Sequence, residues 1–584
     1  MPRKLRLLLR VVKHLLHHPK NFSRLLSDFY SGGLAYVAIR VRCIAQGMAC
    51  MGPREYRQWY EQVEAKNAAQ DDLKGPSQLD WQPRFSILMP VYNPPAEYLR
   101  EAIGSVLGQH YGNWELCIVD DVSTEPHVAP LLREMAQCDQ RIKLQTHKEN
   151  GNLSIARNTG MKVATGDFIC LLDHDDLLAP QALLRVAQEL NMNPALKLLF
   201  SDEDKIDQHG TRYEPIFKPG WNPELYLGQN YVHHLVVFEA DLLHSVGGYR
   251  AGYEGAEDYD CVFRASERIQ PAQIHHIPEI LYHWRRFTGS ESWLSVQLER
   301  VENMAVKVVQ EHFERTGRSA IVSKSHVPGF RQITLPVPAT LPSISVIASP
   351  KAGASLILPP ALDIELLIVN GEDADYTCFN KLALKAQGDV LLFLTSPIRP
   401  ISDCWLESLV AHLYYGSTGA VGPKILTSDA RIWSSHGVVS GDMPGRPGHR
   451  GQPADSYGFD GRLALLQRCS SLSLNLMLTK SEVFRRLGGL KNCQRYSGHL
   501  SVVDYCLQLG QVGEAVMWVP SVQVQINSSY KLAFRNESET LSGITTPQRE
   551  AFQKCWGKNL RDLYFSPNLS NDGCCDFTQA QRYP

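Results

Sequence analysis

Three aspartates and a histidine stand together at the end of an apolar stretch of strand length. The segment GDFICLLDHDD ends in Asp173, His174, Asp175 and Asp176. Clustered carboxylates at the end of a buried strand cost free energy unless a cation neutralises them. Mg²⁺ or Mn²⁺ suits this role, because both ions take oxygen ligands and share them with a substrate phosphate. The alternative is a solvated acidic turn that caps the helix after it.

Strand and helix patterns alternate around this acidic segment. FSILMPV and WELCIVD, which start at residues 85 and 114, are apolar runs of strand length, and the stretch between them has helical spacing. A third short strand and a helix follow before the acidic strand. Such repeats predict an α/β fold with a doubly wound sheet. Because ligands bind beyond the carboxyl ends of the strands in these sheets, we expect residues 90–93, 120–121 and 173–176 to meet at one edge.

These motifs, together with others further along, occur in a characteristic order. They are PVYN at 90–93, VDDVST at 119–124, ARNTG at 156–160, GDFICLLDHDD at 166–176, GGY at 247–249, EDYD at 257–260 and LYHWR at 281–285. In type, order and spacing the stretch from about 84 to 290 resembles the family-2 inverting glycosyltransferases, of the kind that builds bacterial surface polysaccharides. The resemblance implies the GT-A fold, a mixed doubly wound sheet. Val122 departs from the more common glycine.

The resemblance assigns the donor site to residues after the first strands. The nucleotide-diphosphate sugar would be contacted by Pro90, Tyr92, Asn93, Asp120, Asp121, Arg157 and Asp173. Asp120 or Asp121 would contact the base, and Arg157 would lie near the nucleotide or the diphosphate.

The resemblance also assigns the metal and the catalytic groups. Asp173 and Asp175 would bind Mn²⁺ or Mg²⁺, with His283 as a third ligand. Asp258, beside Glu257, would be the base that takes the proton from the acceptor hydroxyl. One base without a nucleophilic carboxylate implies a single displacement and inversion. The alternatives are a solvated helix turn for the acids at 257–260 and a packed imidazole for His283.

The long segment at 198–234 is the candidate acceptor region. Asp202, Glu203 and Asp204 follow an apolar run, and Trp221 and Tyr231 could stack on sugar rings. Long loops in compact domains are commonly functional. The alternative is a surface loop whose aromatic side chains pack against the domain.

Composition limits the classes that remain. A chain of 584 residues should hold two or more domains. A net charge of −2 gives no indication of a nucleic-acid partner. The 14 cysteines are scattered and form no metal-binding pairs, which is typical of a reduced, cytosolic protein.

The first residues form a basic amphipathic pattern. In residues 2–20 the charged side chains gather on one helical arc and the leucines on the opposite one. No run of 18 or more apolar residues predicts a membrane-spanning helix, and no cleavage site indicates a signal peptide. We therefore expect an interfacial helix on an anionic membrane surface, at the inner face of the plasma membrane. The alternative is a helix that docks on the protein itself.

The motif pattern repeats after residue 343 without its charges. The segment at 379–402 matches 157–180, and LTKSEVFRRLGGL matches FEADLLHSVGGY. In this register Thr395 and Pro397 replace the Asp-x-Asp pair, and Ser501–Val502 replace Glu257–Asp258. We therefore predict a second, degenerate GT-A-like domain that lacks the chemistry.

The predicted organisation has five parts. They are a basic helical region with a linker at 1–83, a catalytic domain at 84–320, a proline-containing linker at 321–342, the degenerate domain at 343–530 and an extension at 531–584. The predicted reaction transfers a sugar from a nucleotide-diphosphate donor to a glycan or a lipid-linked oligosaccharide. Two other classes stay open: a non-catalytic carbohydrate-binding or scaffold protein, and a sugar-phosphate nucleotidyltransferase. The latter would need a glycine-rich, arginine-bearing loop, which PVYNPP is not.

Overall fold

A computed structural model describes most of the chain after residue 75. The described residues are 41, 56–63, 75–286, 291–356, 363–369, 376–439, 444–492, 495–496, 498–528, 544–557 and 560–569. The amphipathic pattern predicted at 2–20 lies outside them. No helix in these ranges is long and apolar enough to cross a membrane.

The first half of the chain contains a mixed sheet with nine strands among the described residues. Their order is β3-β2-β1-β4-β8-β6-β9-β5, and β7 pairs with β6 at the side of this path. The strands are β1 (Phe85–Val91), β2 (Trp114–Asp120), β3 (Ile142–Thr146), β4 (Phe168–Leu171), β5 (Leu177–Leu178), β6 (Leu198–Ile206), β7 (Arg212–Ile216), β8 (Val236–Glu239) and β9 (Ile274–Arg285). Strands β1 to β4 run parallel to one another, whereas β8 runs antiparallel to β4 and β6.

Helices cover both faces of this sheet. They are α1 (Ala96–Leu107), α2 (Val128–Cys138), α3 (Asn152–Val163), α4 (Ala182–Met192), α5 (Pro223–Gly228), α6 (Ala240–Ser245), α7 (Glu257–Ser266) and α8 (Glu291–Arg315). Successive side chains of a strand point to opposite faces. Accordingly Ile87 of β1 joins a core with Ile103 of α1, whereas the adjacent Leu88 joins a core with Met161 of α3. The doubly wound α/β fold predicted from the sequence is confirmed.

The second half begins with a hairpin and contains a second mixed sheet. The strands are β10 (Ile321–Lys324), β11 (Arg331–Thr334), β12 (Ile344–Ala348), β13 (Ile364–Ile368), β14 (Val390–Leu394), β15 (Ile398–Pro400), β16 (Thr418–Leu426), β17 (Ile432–Ser434), β18 (Gly437–Val438), β19 (Arg446–Pro447), β20 (Gln467–Arg468), β21 (Met477–Lys480) and β22 (Ala515–Ile526). The helices are α9 (Pro350–Ser355), α10 (Tyr376–Lys385), α11 (Trp405–Leu413), α12 (Ser481–Leu487), α13 (Gly498–Gln511) and α14 (Thr546–Trp556).

The second sheet repeats the topology of the first. Its order is β13-β12-β14-β21-β16-β22-β15, which matches β2-β1-β4-β8-β6-β9-β5 strand for strand. The register also agrees, because Phe85 pairs with Phe168 in the first sheet and Ile344 pairs with Val390 in the second. The second half is therefore an α/β domain with the same fold, as the sequence repeat predicted.

A hydrogen-bond network recurs in both sheets, buried in the first and partly buried in the second. The hydroxyl of Ser86 donates to Glu115 at 2.6 Å and accepts a bond from the Gly166 backbone at 2.8 Å. The same bonds recur in the second sheet between Ser345, Glu365 and Gly388. These groups brace the starts of the strands, so the duplication has preserved polar residues that maintain the fold.

A hydrogen bond between an asparagine side chain and a distant backbone N–H group is also duplicated, and it involves α3 in the first half and α10 in the second. The side-chain oxygen of Asn158 accepts the backbone N–H of Tyr249 at 2.9 Å, and that of Asn380 accepts the backbone N–H of Leu490 at 2.8 Å. A Cβ atom on the residue before Tyr249 or Leu490 would lie within 2.4 Å of the asparagine oxygen, and both positions have positive φ. Only glycine fits there, which explains the second glycine of each matching GG pair.

Polar contacts join the two halves. Arg468 of β20 donates to both carboxylate oxygens of Glu224 in α5, at 2.5 and 2.9 Å, and its backbone N–H donates to Asn222 at 3.0 Å. Asn568, near the carboxyl end of the described chain, donates to Asp202 at 2.9 Å. A bidentate, largely buried arginine–carboxylate pair gives this interface a defined geometry.

Candidate functional site

The candidate site lies at the carboxyl ends of β1, β2 and β4, where the polar segments meet. Asn93 follows β1 with φ of +51°, and its side-chain oxygen accepts the backbone N–H groups of Thr124 at 2.7 Å and Glu125 at 3.0 Å. Asn93 therefore ties two loops together. Pro90 is buried within β1, whereas Tyr92 is exposed and free to face a ligand.

Asp120 and Asp121 are almost completely buried, and both order the backbone around them. Oδ1 of Asp120 accepts the backbone N–H of Ser123 at 3.0 Å. Oδ1 of Asp121 accepts the backbone N–H of Gly151 at 2.8 Å and lies 2.7 Å from Nδ1 of His147. The pair shapes the loop in which the resemblance locates the nucleotide base.

Arg157 of α3 connects the acidic turn to helix α7. Its side chain is 2% exposed, and it contacts Asp258 at 2.5 Å, Asp173 at 3.2 Å and Glu257 at 3.3 Å. The guanidinium also lies 5.3 Å from the ring centroid of Tyr249. One buried cation thus balances carboxylates from two separate motifs.

The three aspartates of the acidic turn have different environments. Asp176 is buried and accepts bonds from the Tyr282 hydroxyl and the Arg285 backbone, both at 2.7 Å. Burial and the neighbouring carboxylates raise the pKa of Asp176 well above its usual value, and burial raises the pKa of Asp175. Burial also opposes ionisation of Asp173, but the neighbouring charge of Arg157 leads the effects that lower the pKa of Asp173.

His234 joins this turn, and the sequence interpretation gave it no role. Ligand atoms of Asp173, Asp176 and His234 lie within 4.8 Å of one another. Burial lowers the pKa of His234 to about 4, so the imidazole is neutral at physiological pH and keeps a lone pair for a metal. Its Nδ1 has no hydrogen-bond partner among the described residues. Carboxylates with a neutral imidazole are a donor set that fits a divalent cation such as Mn²⁺.

His283, the ligand assigned by resemblance, lies outside that group of three. Its Nδ1 is 2.6 Å from Oδ1 of Asp204, which also accepts a bond from Arg212 at 2.5 Å on its other oxygen. A metal role for His283 would therefore have to use Nε2. Asp175 also lies outside the group of three, although it belongs to the same turn.

Helix α7 begins with the acidic motif. Glu257 is buried and accepts the backbone N–H of Gly255 at 2.6 Å. Burial, and then the charge of Asp258, raise the pKa of Glu257 to about 7. The Asp258 side chain is 19% exposed, whereas Asp260 is fully buried between Arg250 and Arg264. Of the three acids, Asp258 has the most exposed side chain.

The carboxylates of β6 are fully buried. Asp202 contacts His276 at 2.7 Å, and Glu203 contacts Lys218 at 3.0 Å. Asp204 has the partners described above. Because every one of them is paired inside the protein, this geometry favours a structural role over contact with an acceptor.

The two aromatic residues predicted near the acceptor pack within the protein. Trp221 packs against Tyr226 with ring centroids 5.2 Å apart. Tyr231 is 1% exposed and its hydroxyl donates to the carbonyl of Gly220 at 3.2 Å. This arrangement agrees with the alternative of a packed loop.

Comparisons with known proteins agree with these motifs. The sequence model described as "Glycosyl transferase family 2" matches residues 86–245. The protein described as "Putative glycosyltransferase EpsE" of Bacillus subtilis is 31% identical to this chain over 206 residues. These residues are 35% of this chain and 73% of EpsE.

Two longer relatives match both halves of the chain. O-antigen biosynthesis protein RfbC of Myxococcus xanthus is 30% identical over 540 residues, which are 85% of this chain and 41% of RfbC. An uncharacterized protein, y4gI, of Sinorhizobium fredii is 33% identical over 530 residues, which are 84% of this chain and 58% of that protein. The chain therefore spans about half the length of these relatives.

Proposed function

Because the chain belongs to glycosyl transferase family 2, we propose that its first half transfers a sugar from a nucleotide-diphosphate donor to a hydroxyl of a glycan or lipid-linked oligosaccharide. The observation that carries the proposal is the contact of one buried guanidinium, that of Arg157, with both Asp173 and Asp258. The carboxylates suited to a metal and the carboxylate suited to a base thus lie in one cluster at the carboxyl ends of the strands.

Asp258 is the proposed base. The acceptor oxygen forms a bond to the anomeric carbon while the bond from that carbon to the diphosphate oxygen breaks, and Asp258 takes the hydroxyl proton. Arg157 acts as a positioning residue, since its bond to Oδ1 holds the Asp258 carboxylate in place. A single displacement of this kind inverts the anomeric configuration.

The proposed metal site contains Asp173, Asp176 and His234, and the set taken from the resemblance, Asp173 with Asp175 and His283, competes with it. A bound Mn²⁺ or Mg²⁺ would neutralise the charge that builds on the diphosphate leaving group. Asp173 is common to both sets. Its pKa is lowered mainly by Arg157, against the effect of burial, so it is ionised and ready to bind a cation.

The proposed setting is the synthesis of a bacterial surface polysaccharide at the cytoplasmic side of a membrane. The name of the M. xanthus relative, O-antigen biosynthesis protein, supports the pathway. The basic amphipathic pattern of residues 2–20 supports attachment to an anionic lipid surface.

Donor turnover tests the proposal. The purified full chain is incubated with a panel of UDP-, GDP- and dTDP-sugars, with Mn²⁺ or with excess chelator, and release of the nucleoside diphosphate is measured. We expect metal-dependent hydrolysis of one donor class, which is lost in Asp173→Asn and retained in Asp241→Asn, an exposed aspartate of α6 outside the site. Absence of turnover with every donor would favour the non-catalytic carbohydrate-binding alternative.

A further inference from the structure

A cavity of about 430 Å³ lies in the second half of the chain. Its wall includes Ser396 and Pro397, which follow β14, together with Asn475 before β21, Val502 on α13 and Trp433 on β17. These segments lie at the carboxyl end of β14, as the acidic turn lies at the carboxyl end of β4 in the first sheet. The volume falls within the range of about 300–1,000 Å³ that is typical of small-ligand sites.

Strand register relates this wall to the acidic turn. Phe168 and Val390 are equivalent, because each is the first residue of its strand and pairs with the first residue of β1 or β12. Counting from them, Thr395 stands at the position of Asp173, and Pro397 at that of Asp175.

The strands antiparallel to β4 and β14, which are β8 and β21, show the same equivalence between the two sheets. Phe168 pairs with Glu239 in the first sheet, and Val390 pairs with Lys480 in the second. Counting back from these partners, Asn475 stands where His234 stands. The cavity therefore contains the counterpart of each segment that forms the proposed metal site.

Helix α13 provides the counterpart of the catalytic motif. Asp504 accepts a bond from Gln508 one turn later, as Asp260 does from Arg264 in α7. This match puts Val502 at the position of Asp258. On α10, the Asn158–Asn380 equivalence described above puts Phe379 at the position of Arg157.

The exchanges remove the charges of the proposed metal ligands, of the proposed base and of Arg157 at the equivalent positions. Among the described residues that line the cavity there is no Asp, Glu, Lys or Arg. The fold around it is nevertheless kept by the duplicated networks. Among the described residues the cavity therefore persists without carboxylate, ammonium or guanidinium groups, and its lining includes one imidazole, that of His499.

The lining that replaces the charges has the chemistry of a sugar site. Hydroxyl and amide groups come from Ser396, Ser434, Ser473 and Asn475, and the ring of Trp433, whose centroid lies 3.9 Å from the guanidinium carbon of Arg450, forms part of the wall. Neutral hydrogen-bonding groups beside an aromatic ring suit a pyranose, which presents hydroxyls and apolar C–H groups.

Asn475 is held in an orientation suited to binding. Its Oδ1 accepts bonds from the hydroxyls of Thr395 at 2.8 Å and Ser396 at 3.1 Å. Its Nδ2 has no hydrogen-bond partner among the described residues, so the amide can donate to a ligand oxygen.

We propose that this cavity, the counterpart of the donor site, binds an uncharged saccharide unit of the acceptor glycan. The inference rests on the proposed function, because it assumes that the first half acts on a growing glycan. In this arrangement one domain carries out the transfer and its copy retains the polymer, which would favour repeated additions to the same chain.

Binding of neutral oligosaccharides tests the inference. The full chain, in chelator and without nucleotide, is titrated with tri- and tetrasaccharides of glucose, galactose, mannose, rhamnose and N-acetylglucosamine, and saturation-transfer NMR detects contact. We expect at least one of them to bind, and binding to survive Asp173→Asn combined with Asp175→Asn.

Two variants address the cavity itself. Asn475→Ala removes the amide donor and should weaken binding about tenfold, as expected for the loss of a hydrogen bond from a buried site. Ser473→Trp fills the space from a loop position and should abolish binding. Gln387→Ala, an exposed amide in the loop before β14, is the matched control and should bind as the wild type does. Thermal melting establishes that each variant is folded.

The outcomes separate this inference from the proposed function. If the chain hydrolyses a nucleotide sugar but none of the oligosaccharides binds, or binding survives both cavity variants, the cavity inference is wrong and the transferase proposal stands. Loss of glycan binding in the double aspartate variant would place the saccharide in the first half and also overturn the inference. Failure of donor hydrolysis with oligosaccharide binding intact would overturn the proposed function, and it would leave a saccharide site in the cavity without the acceptor role.

Discussion

The guanidinium of Arg157 lies 2.5 Å from the carboxylate of Asp258 at the start of α7. The same side chain, 2% exposed, reaches Asp173 at 3.2 Å on the far side. This single residue sets the distance between the proposed base and the proposed metal site, and it supplies the positive charge that allows these carboxylates to lie together.

Arg157→Met should both destabilise the protein and abolish transfer. Breaking a buried ion pair leaves an uncompensated charge, which costs about 3–5 kcal/mol, and the loss here should lie near the lower end because Asp173 and Asp258 are partly exposed. Arg157→Lys keeps the charge without the two-pronged geometry, so it should recover much of the stability but little of the activity. Urea denaturation and donor turnover measure the two effects.

An exposed arginine provides the control for this experiment. Arg100 contacts Glu134 at 3.3 Å with 52% of its side chain exposed. Surface pairs contribute about 0–1 kcal/mol, so Arg100→Met should change stability and turnover little. Equal effects of the two arginine substitutions would contradict the role given to Arg157.

Histidine variants distinguish the two candidate sets of metal ligands. Removal of a residue that only hydrogen-bonds to a metal ligand typically lowers the metal affinity by about 10–100-fold. Removal of a direct ligand should therefore lower it by at least as much. We expect His234→Ala to weaken Mn²⁺ binding by this amount and His283→Ala to have a smaller effect, with exposed His209→Ala as the control. Titration of Mn²⁺ followed by electron paramagnetic resonance gives the affinities. The reverse order would support the set taken from the resemblance.

The contribution of Glu257 to stability should decrease as the pH rises. Burial and the charge of Asp258 raise its pKa from 4.5 to about 7, so the folded chain holds this proton more tightly than the unfolded chain. Its stabilising effect is complete below pH 4.5 and is lost as the pH rises through about 7. Glutamine cannot ionise, so the free energy of unfolding of wild type minus that of Glu257→Gln should fall across this window. A difference that is constant or rises from pH 4.5 to pH 7 would contradict the raised pKa.

Deletion of residues 1–30 should reduce binding to anionic membranes. The basic face of residues 2–20 is attracted to acidic lipids, and salt screens this attraction. Co-sedimentation with phosphatidylglycerol vesicles should fall after the deletion and, for the full chain, at high salt, whereas neutral phosphatidylcholine vesicles should bind little of either protein. Unchanged sedimentation after the deletion would leave the docking-helix alternative.

The sequence predicted the fold and the repeat because both depend on local patterns. Apolar runs of strand length and helical spacing identify the elements, and the match of 379–402 to 157–180 needs only the order of residues along the chain. The spacing of the motifs was likewise enough to identify the family.

Contacts between distant strands were harder to foresee. His234 reaches Asp173 because β8 runs antiparallel to β4, which brings the start of one strand beside the end of the other. The pair His233–His234 before an apolar strand was the available signal. The burial of Asp204 depends on Tyr56, whose hydroxyl donates to it from 148 residues away, and no local pattern indicates such a partner.

Turnover of Asp258→Asn tests the central claim most directly. Asparagine preserves the size of the side chain but cannot accept the acceptor proton, so sugar transfer should fall by about 10²–10⁴-fold. Binding of the donor should change little, because the proposed metal and nucleotide contacts lie on other residues, and Asp241→Asn should behave as the wild type. A folded Asp258→Asn variant that transfers sugar at the normal rate would contradict the assignment of Asp258 as the base.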